Sequence, residues 1–261
     1  MEIWEVITIA QLNGDKVILE KTKKIIPSID KIIIEAINQI SGSKLSQQYI
    51  KTHFSDAIIS LEKKAHTIYN GYQDKAFSYA IDEWVISNSS EILQWSKNLS
   101  PDEFARKICR QITPLAAKLE FSLGQGRKSR GGKSLERIVT KLLTKINIRC
   151  QRPKGKKERK KLKRIDVVVP DQKTALTTPD KAYFLSCKRT LRERWKQAIP
   201  EQKPSWRVFL ITIDEILPEE KADEIHELGM IVYVRDELKT QTHLKKNHWV
   251  RKLSNLPKDL K

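Results

Sequence analysis

An aspartate, Asp166, opens the apolar run IDVVVP, and a lysine, Lys188, closes the next such run, AYFLSCK, 22 residues later. If the two runs are antiparallel neighbours, the start of one lies beside the end of the other. Carboxylate and ammonium then meet at one sheet edge. Phosphodiester hydrolysis asks for such a pair. Carboxylates hold Mg²⁺, which binds through few protein ligands and keeps several waters. The metal polarises the phosphate and acidifies a water, and a neighbouring lysine stabilises or orients that nucleophile. A lone acid at a strand end is ordinarily a solvated turn residue, so the argument needs both members.

One carboxylate seldom suffices for such a site. The position two residues before the lysine, where many nucleases carry an acid, holds Ser186. Glu201, thirteen residues after Lys188, is placed to reach back from the end of the following helix, although Pro200 beside it interrupts helical hydrogen bonding. Glu136 follows the stretch GRKSRGGKS (126–134). That stretch is no P-loop: the first glycine of G-x-x-x-x-G-K-[ST] would fall on Arg127. Glycines, Arg127, Lys128 and Arg130 ahead of a helix instead suit a phosphate at the helix N-terminus, with Glu136 pointing into the same site; an ordinary basic cap is the plainer reading. RPKGKKERKKLKR (152–164) holds nine basic residues and one acid and leads directly to Asp166. A charge run is usually a solvated loop, yet this one is placed to grip a backbone beside the scissile phosphate, which gives affinity rather than sequence choice.

The elements that must position these groups change character along the chain. The first half reads as helices over 28–40, 45–69, 74–87 and 100–121, with Ser28 and Ser100 as caps and Pro114 expected to kink or break the last. From about residue 133 a helix leads into INIRC (146–150), then 165–169, 182–187, 207–213 and 230–234 read as short β-branched strands. A polar helix follows Lys188 and another spans PEEKADEIHELG. The expectation is an α/β (α+β) fold: a mixed sheet with an antiparallel start, flanked by helices, behind a mostly helical N-terminal half.

The chain has 261 residues, a hydrophobic fraction of 39% and a net charge of +18. It has a core to bury, and its excess charge points to a polyanion, most simply nucleic acid. Three scattered cysteines give no disulfide framework and no CxxC for zinc. No apolar run approaches the ~20 residues that span a bilayer, and the acid at position 2 argues against a secretion signal. A reducing cytosol is the natural reading.

Taken together, RKSRGGKSLE, IDVVVP and SCKRTLRERWKQ, in that order, resemble the type II restriction endonucleases of the EcoRII, PspGI, SsoII and NgoMIV group, with the PD-(D/E)xK nuclease fold. The resemblance covers roughly residues 120–235. It implies Mg²⁺-dependent cleavage of double-stranded DNA at a short palindrome of CC…GG type (CCWGG, CCNGG and CCGG all remain open). It also implies that the second metal-site acid has migrated to the helix after the lysine, so that Asp166, Lys188 and Glu201 match the catalytic positions, Asp166 and Glu201 hold the metal, and Glu136 is the additional acid. The R-(D/E)-R base-reading element of the family matches Arg192–Glu193–Arg194. Arginine can donate twice to guanine O6 and N7, and glutamate can accept from cytosine N4. Trp195 is expected to pack rather than stack on a base.

The expectation is thus a homodimer, two subunits on a two-fold site, with residues 1–120 for dimerisation and DNA clasping and 121–261 as the nuclease core. A cognate DNA methyltransferase would be its functional partner in a restriction-modification system. The chain is closer to the compact PspGI type than to EcoRII with its extra regulatory domain. A structure-specific repair or junction nuclease of the same fold, and a DNA-binding protein without catalysis, are the alternatives; the RER segment argues against the first, the acid–lysine set against the second.

Overall fold

The computed structural model describes residues 9–40, 42–191 and 206–261. In chain order the helices are α1 (Ile9–Ile25), α2 (Ile29–Gln39), α3 (Gln47–Thr52), α4 (Phe54–Ser87), α5 (Ser89–Asn98), α6 (Pro101–Lys145), α7 (Lys156–Lys161), α8 (Gln172–Thr177), α9 (Glu219–Glu227), α10 (Asp236–Lys239), α11 (Thr242–Lys245) and α12 (Leu256–Asp259). The strands are β1 (Val167–Val169), β2 (Tyr183–Lys188), β3 (Arg207–Thr212), β4 (Ile231–Val234) and β5 (Val250–Lys252). Packing divides the chain into two units, one of residues up to Ile32 with His66–Ser129, the other of Ile33–Ala65 with Arg130–Lys261. The sequence suggests a single boundary near residue 120; the packing also assigns 33–65 to the second unit.

The first unit is helical. Leu115, Leu119 and Leu123 of α6 recur at helical spacing and bury against Ile18, Ala80 and Trp84, with Phe77, Ile108 and Ile112 around them. Polar pairs close its margin, Lys118 Nζ to Asp15 Oδ2 at 2.7 Å and Lys21 Nζ to Glu83 Oε2 at 2.8 Å.

The second unit is a mixed sheet flanked by helices. The strand order is β1-β2-β3-β4-β5. β1 runs antiparallel to β2, with Val167 opposite Leu185 and Val169 opposite Tyr183. The other neighbours are parallel, pairing Lys188 with Thr212, Leu210 with Val232 and Tyr233 with Arg251. Strands covered on both faces read as continuous apolar runs, and Val167, Val168, Phe184, Leu185, Leu210, Ile211, Val232 and Val234 are all fully buried. Phe184 stacks on Trp206 with ring centroids 4.2 Å apart.

Several expectations are corrected. Pro114 neither breaks nor ends its helix: α6 runs 45 residues through it and through Gly124, Gly126, Gly131 and Gly132. A proline inside a helix costs roughly 3 kcal/mol, and here apolar packing on both sides of it, from Ile108 and Ile112 to Leu115 and Leu119, holds the helix together. The helix expected over 45–69 divides at His53, whose backbone N–H closes α3 onto the Tyr49 carbonyl; α4 then continues past Gly71 without a break. INIRC is not a strand. Asn147 takes a left-handed φ of 64°, the helix ends there by Ile148 N–H reaching back to the Leu143 carbonyl, and the chain meets the sheet only where Gln151 bridges Val168. Asparagine is one of the few residues that adopts this conformation readily. The stretch before β2 is not all loop, since Asp171 caps α8 by accepting from Thr174 N–H at 2.9 Å. Finally, β5 was not anticipated from the sequence. The Ser100 cap stands as expected, with the reciprocal Ser100–Glu103 hydrogen bonds of a capping box.

Candidate active site

The antiparallel register of β1 and β2 brings the start of one to the end of the other. Asp166 donates its backbone N–H to the Leu185 carbonyl at 2.9 Å. Its carboxylate oxygen Oδ2 accepts from Cys187 N–H at 2.7 Å and from Lys188 Nζ at 3.2 Å. A backbone donor therefore fixes the acid, and the acid holds the ammonium. The chain enters this position through Arg164, whose φ of 66° lies in the left-handed region. A non-glycine residue there costs on the order of 1–2 kcal/mol, and it turns the chain from the basic segment into Asp166.

Glu136 comes to the same place from α6. Burial pushes its carboxyl above the ordinary value and the neighbouring Asp166 charge adds to the rise, opposed by Arg152 and Arg137. Arg152 Nη1 donates to Glu136 Oε1 at 3.2 Å and Arg137 Nε lies 3.9 Å from the same oxygen. The charges of Asp166 and Glu136 also add to the burial that raises the Cys187 thiol well above its usual value, so Cys187 serves through its N–H and not as a nucleophile. The side chains of Asp166, Lys188 and Glu136 are 22%, 20% and 18% exposed, within reach of a ligand from solvent. Ser186, which stands where an acid is common, is fully buried, and its hydroxyl has no hydrogen-bond partner among the described residues.

A divalent metal suits this donor set. Asp166 and Glu136 offer hard oxygen ligands from two different elements, and repulsion between them is what a dication would relieve. Among the described residues no group of three or more His, Cys, Asp or Glu gathers as a metal cage. Glu201, the further donor expected from the sequence, lies outside the described residues, as do Arg192, Glu193 and Arg194.

The phosphate cradle expected at 126–134 is corrected: no helix begins there. Arg127, Lys128 and Arg130 sit inside α6, where backbone N–H groups are spent on the helix and cannot bind an anion. Arg127 belongs to the first unit, pairs with Glu120 and lines a cleft of 340 Å³ with Asn70, Gln73 and Asp74. Arg130 belongs to the second.

Four residues near the site escape a sequence reading. Glu62 is 5% exposed on the apolar face of α4, between Leu61 and Ala65, and binds Arg189 and Ser134. An acid interrupting the apolar period was the available signal. Asp214, just beyond the end of β3, and Lys221 of α9 both bind the backbone of Leu191. Arg152, read only as one of nine charges, is the partner of Glu136.

Residues 98–256 match the model of the EcoRII C-terminal family. Over 213 residues the chain is 26% identical to the type II restriction enzyme SsoII of Shigella sonnei, a stretch that is 77% of this chain and 66%, just under two thirds, of that enzyme. Its fold matches metal-depleted Ecl18kI in complex with uncleaved DNA, with a TM-score of 0.76 and 19% identity over 95% of this chain and 82% of that one. It also matches the PspGI–substrate DNA complex, with a TM-score of 0.61 and 24% identity over 90% and 92% of the two chains. With the family model covering more than half of its length, the chain belongs to the EcoRII C-terminal family of type II restriction endonucleases.

Proposed function

We propose that this chain is a site-specific deoxyribonuclease that hydrolyses both strands of a short CC…GG palindrome with Mg²⁺. The observation that carries the proposal is Lys188 Nζ 3.2 Å from the Asp166 carboxylate at a sheet edge, with Glu136 beside it. Asp166, Glu136 and, by the family resemblance, Glu201 would hold the metal, which when bound polarises the phosphate and lowers the pKa of a water. Lys188 orients the attacking water and stabilises charge that develops on the phosphate oxygens. Cys187 N–H keeps Asp166 aimed. Arg152 tempers the charge on Glu136.

Recognition falls to Arg192, Glu193 and Arg194, four to six residues past the lysine, against the edges of G·C pairs. The basic segment 152–164 grips the backbone without choosing sequence. A homodimer would put one site on each strand, and a methyltransferase acting on the same sequence would protect the host DNA. The substrate and the three free cysteines suit a reducing prokaryotic cytoplasm, and no described helix is long and apolar enough to cross a membrane.

Digestion of a mapped plasmid with Mg²⁺, followed by sequencing of the ends, tests the reading. Discrete fragments whose ends share one short palindrome are expected. Cleavage that follows junctions or flaps instead of sequence contradicts it, as does DNA binding with no cleavage.

A further inference from the structure

β2 ends at Lys188, and the three residues after it belong to no helix or strand. They are nevertheless held at both ends by side chains of the same unit. At the near end Arg189 Nε lies 3.3 Å from Glu62 Oε1, a carboxylate that also accepts from Ser134 Oγ at 3.0 Å. At the far end the backbone of Leu191 is gripped twice. Its N–H donates to Asp214 Oδ2 at 2.6 Å, and its carbonyl accepts from Lys221 Nζ at 2.6 Å. Asp214 is itself fixed: its N–H donates to Thr212 Oγ1 at 3.1 Å, and its Oδ1 accepts from Glu215 N–H at 2.9 Å. The Leu191 side chain is 2% exposed in the core of the unit.

Two charged side chains on one peptide-bonded residue are more than burial of a leucine requires. Charge-assisted hydrogen bonds of this length are the stronger and more directional kind. They fix the N–H and the carbonyl of Leu191, which precedes Arg192 in the sequence. We propose that Asp214 and Lys221 are positioning residues that aim the base-reading segment relative to Lys188, so that a correct base contact and a correctly placed lysine occur together. This rests on the reading that Arg192–Arg194 contact bases. In this role each acts through the Leu191 peptide and not by binding DNA or metal itself, with Glu62 fixing the other end of the tripeptide through Arg189.

The test is the ratio of cleavage rates, in Mg²⁺, on a duplex carrying the mapped site and on one with a single outer G·C pair exchanged. A ratio measured on one preparation is indifferent to how much of it is folded. Asp214→Ala and Lys221→Met should each lower the ratio by about tenfold or more, as displacement of a base-reading arginine does. Asp214→Asn keeps an acceptor and Lys221→Arg keeps a donor, and both should restore most of it. Arg192→Ala is measured alongside. If it collapses the ratio while Asp214→Ala and Lys221→Met stay within about twofold of the parent, the clamp is wrong. If Arg192→Ala leaves the ratio unchanged, the base-reading assignment falls, and the clamp proposal with it.

Discussion

Glu136 illustrates how one side chain can oppose folding at a site where, under the proposed function, it would hold a metal. Its pKa lies above the ordinary 4.5 because burial and the Asp166 charge both disfavour its ionised form. A carboxyl with a raised folded-state pKa binds its proton more tightly in the folded protein. The stability this contributes is complete below the ordinary value and is lost as pH rises through the raised one. In metal-free buffer, Glu136→Gln should therefore resist urea better than the parent at neutral pH, with the difference shrinking towards acid. Added Mg²⁺ should reverse the order, because only the parent regains a full ligand. Urea midpoints at two pH values with chelator and with Mg²⁺ check this; a parent that is the more stable at neutral pH in chelator contradicts it. At this scale the sequence exposed the pair that the fold brings together, since Asp166 and Lys188 are strand-end charges with few bland explanations as a pair. It hid the partners of the residues around them. Arg152, Glu62, Asp214 and Lys221 meet their partners only across elements; apart from Glu62, an acid that interrupts an apolar period, spacing along the chain marks none of them.

The basic segment before Asp166 is an ordered element rather than a bare charged loop. Gly155, at a φ of 83° that a side chain would strain, begins α7. Leu162 is buried to anchor the far end, and Lys154 N–H donates to Gln172 Oε1 at 2.6 Å at the near end. Lys156, Lys157, Lys160 and Lys161 are left exposed. Changing these four to glutamine should weaken binding to every duplex alike and lower the slope of log affinity against log salt by ~0.9 for each phosphate that is no longer neutralised. Filter binding across a salt series reads it. An unchanged slope would remove the segment from the interface. Among elements, the strands 167–169, 183–188, 207–212 and 231–234 were legible because β-branched runs bounded by turn residues have few other solutions. Strand 250–252 is three residues long like 167–169, but two of its three residues are charged, so it leaves no apolar run to read. The continuity of α6 was illegible because its glycines and Pro114 are locally helix-breaking, and packing overrides them.

For the whole molecule, one acid–lysine pair would make one cut, and the proposed palindrome has two strands. Light scattering of the chain on its cognate duplex should give, after subtraction of the DNA, about twice the 30.3 kDa chain mass; a mass of one chain on a duplex cut on both strands would argue against the dimer. The net charge of +18 made a polyanionic partner readable before any element was assigned, whereas the assignment of residues 33–65 to the nuclease unit depends on tertiary packing that no local pattern encodes. The most direct measurement is single-turnover cleavage by Lys188→Ala on duplex carrying the mapped site, with binding followed on the same duplex. Losing the group that steadies the nucleophile should slow cleavage by about a thousandfold or more while site-specific binding stays within a few-fold of the parent. Cleavage at the parental rate would contradict the assignment of this sheet edge as the active site.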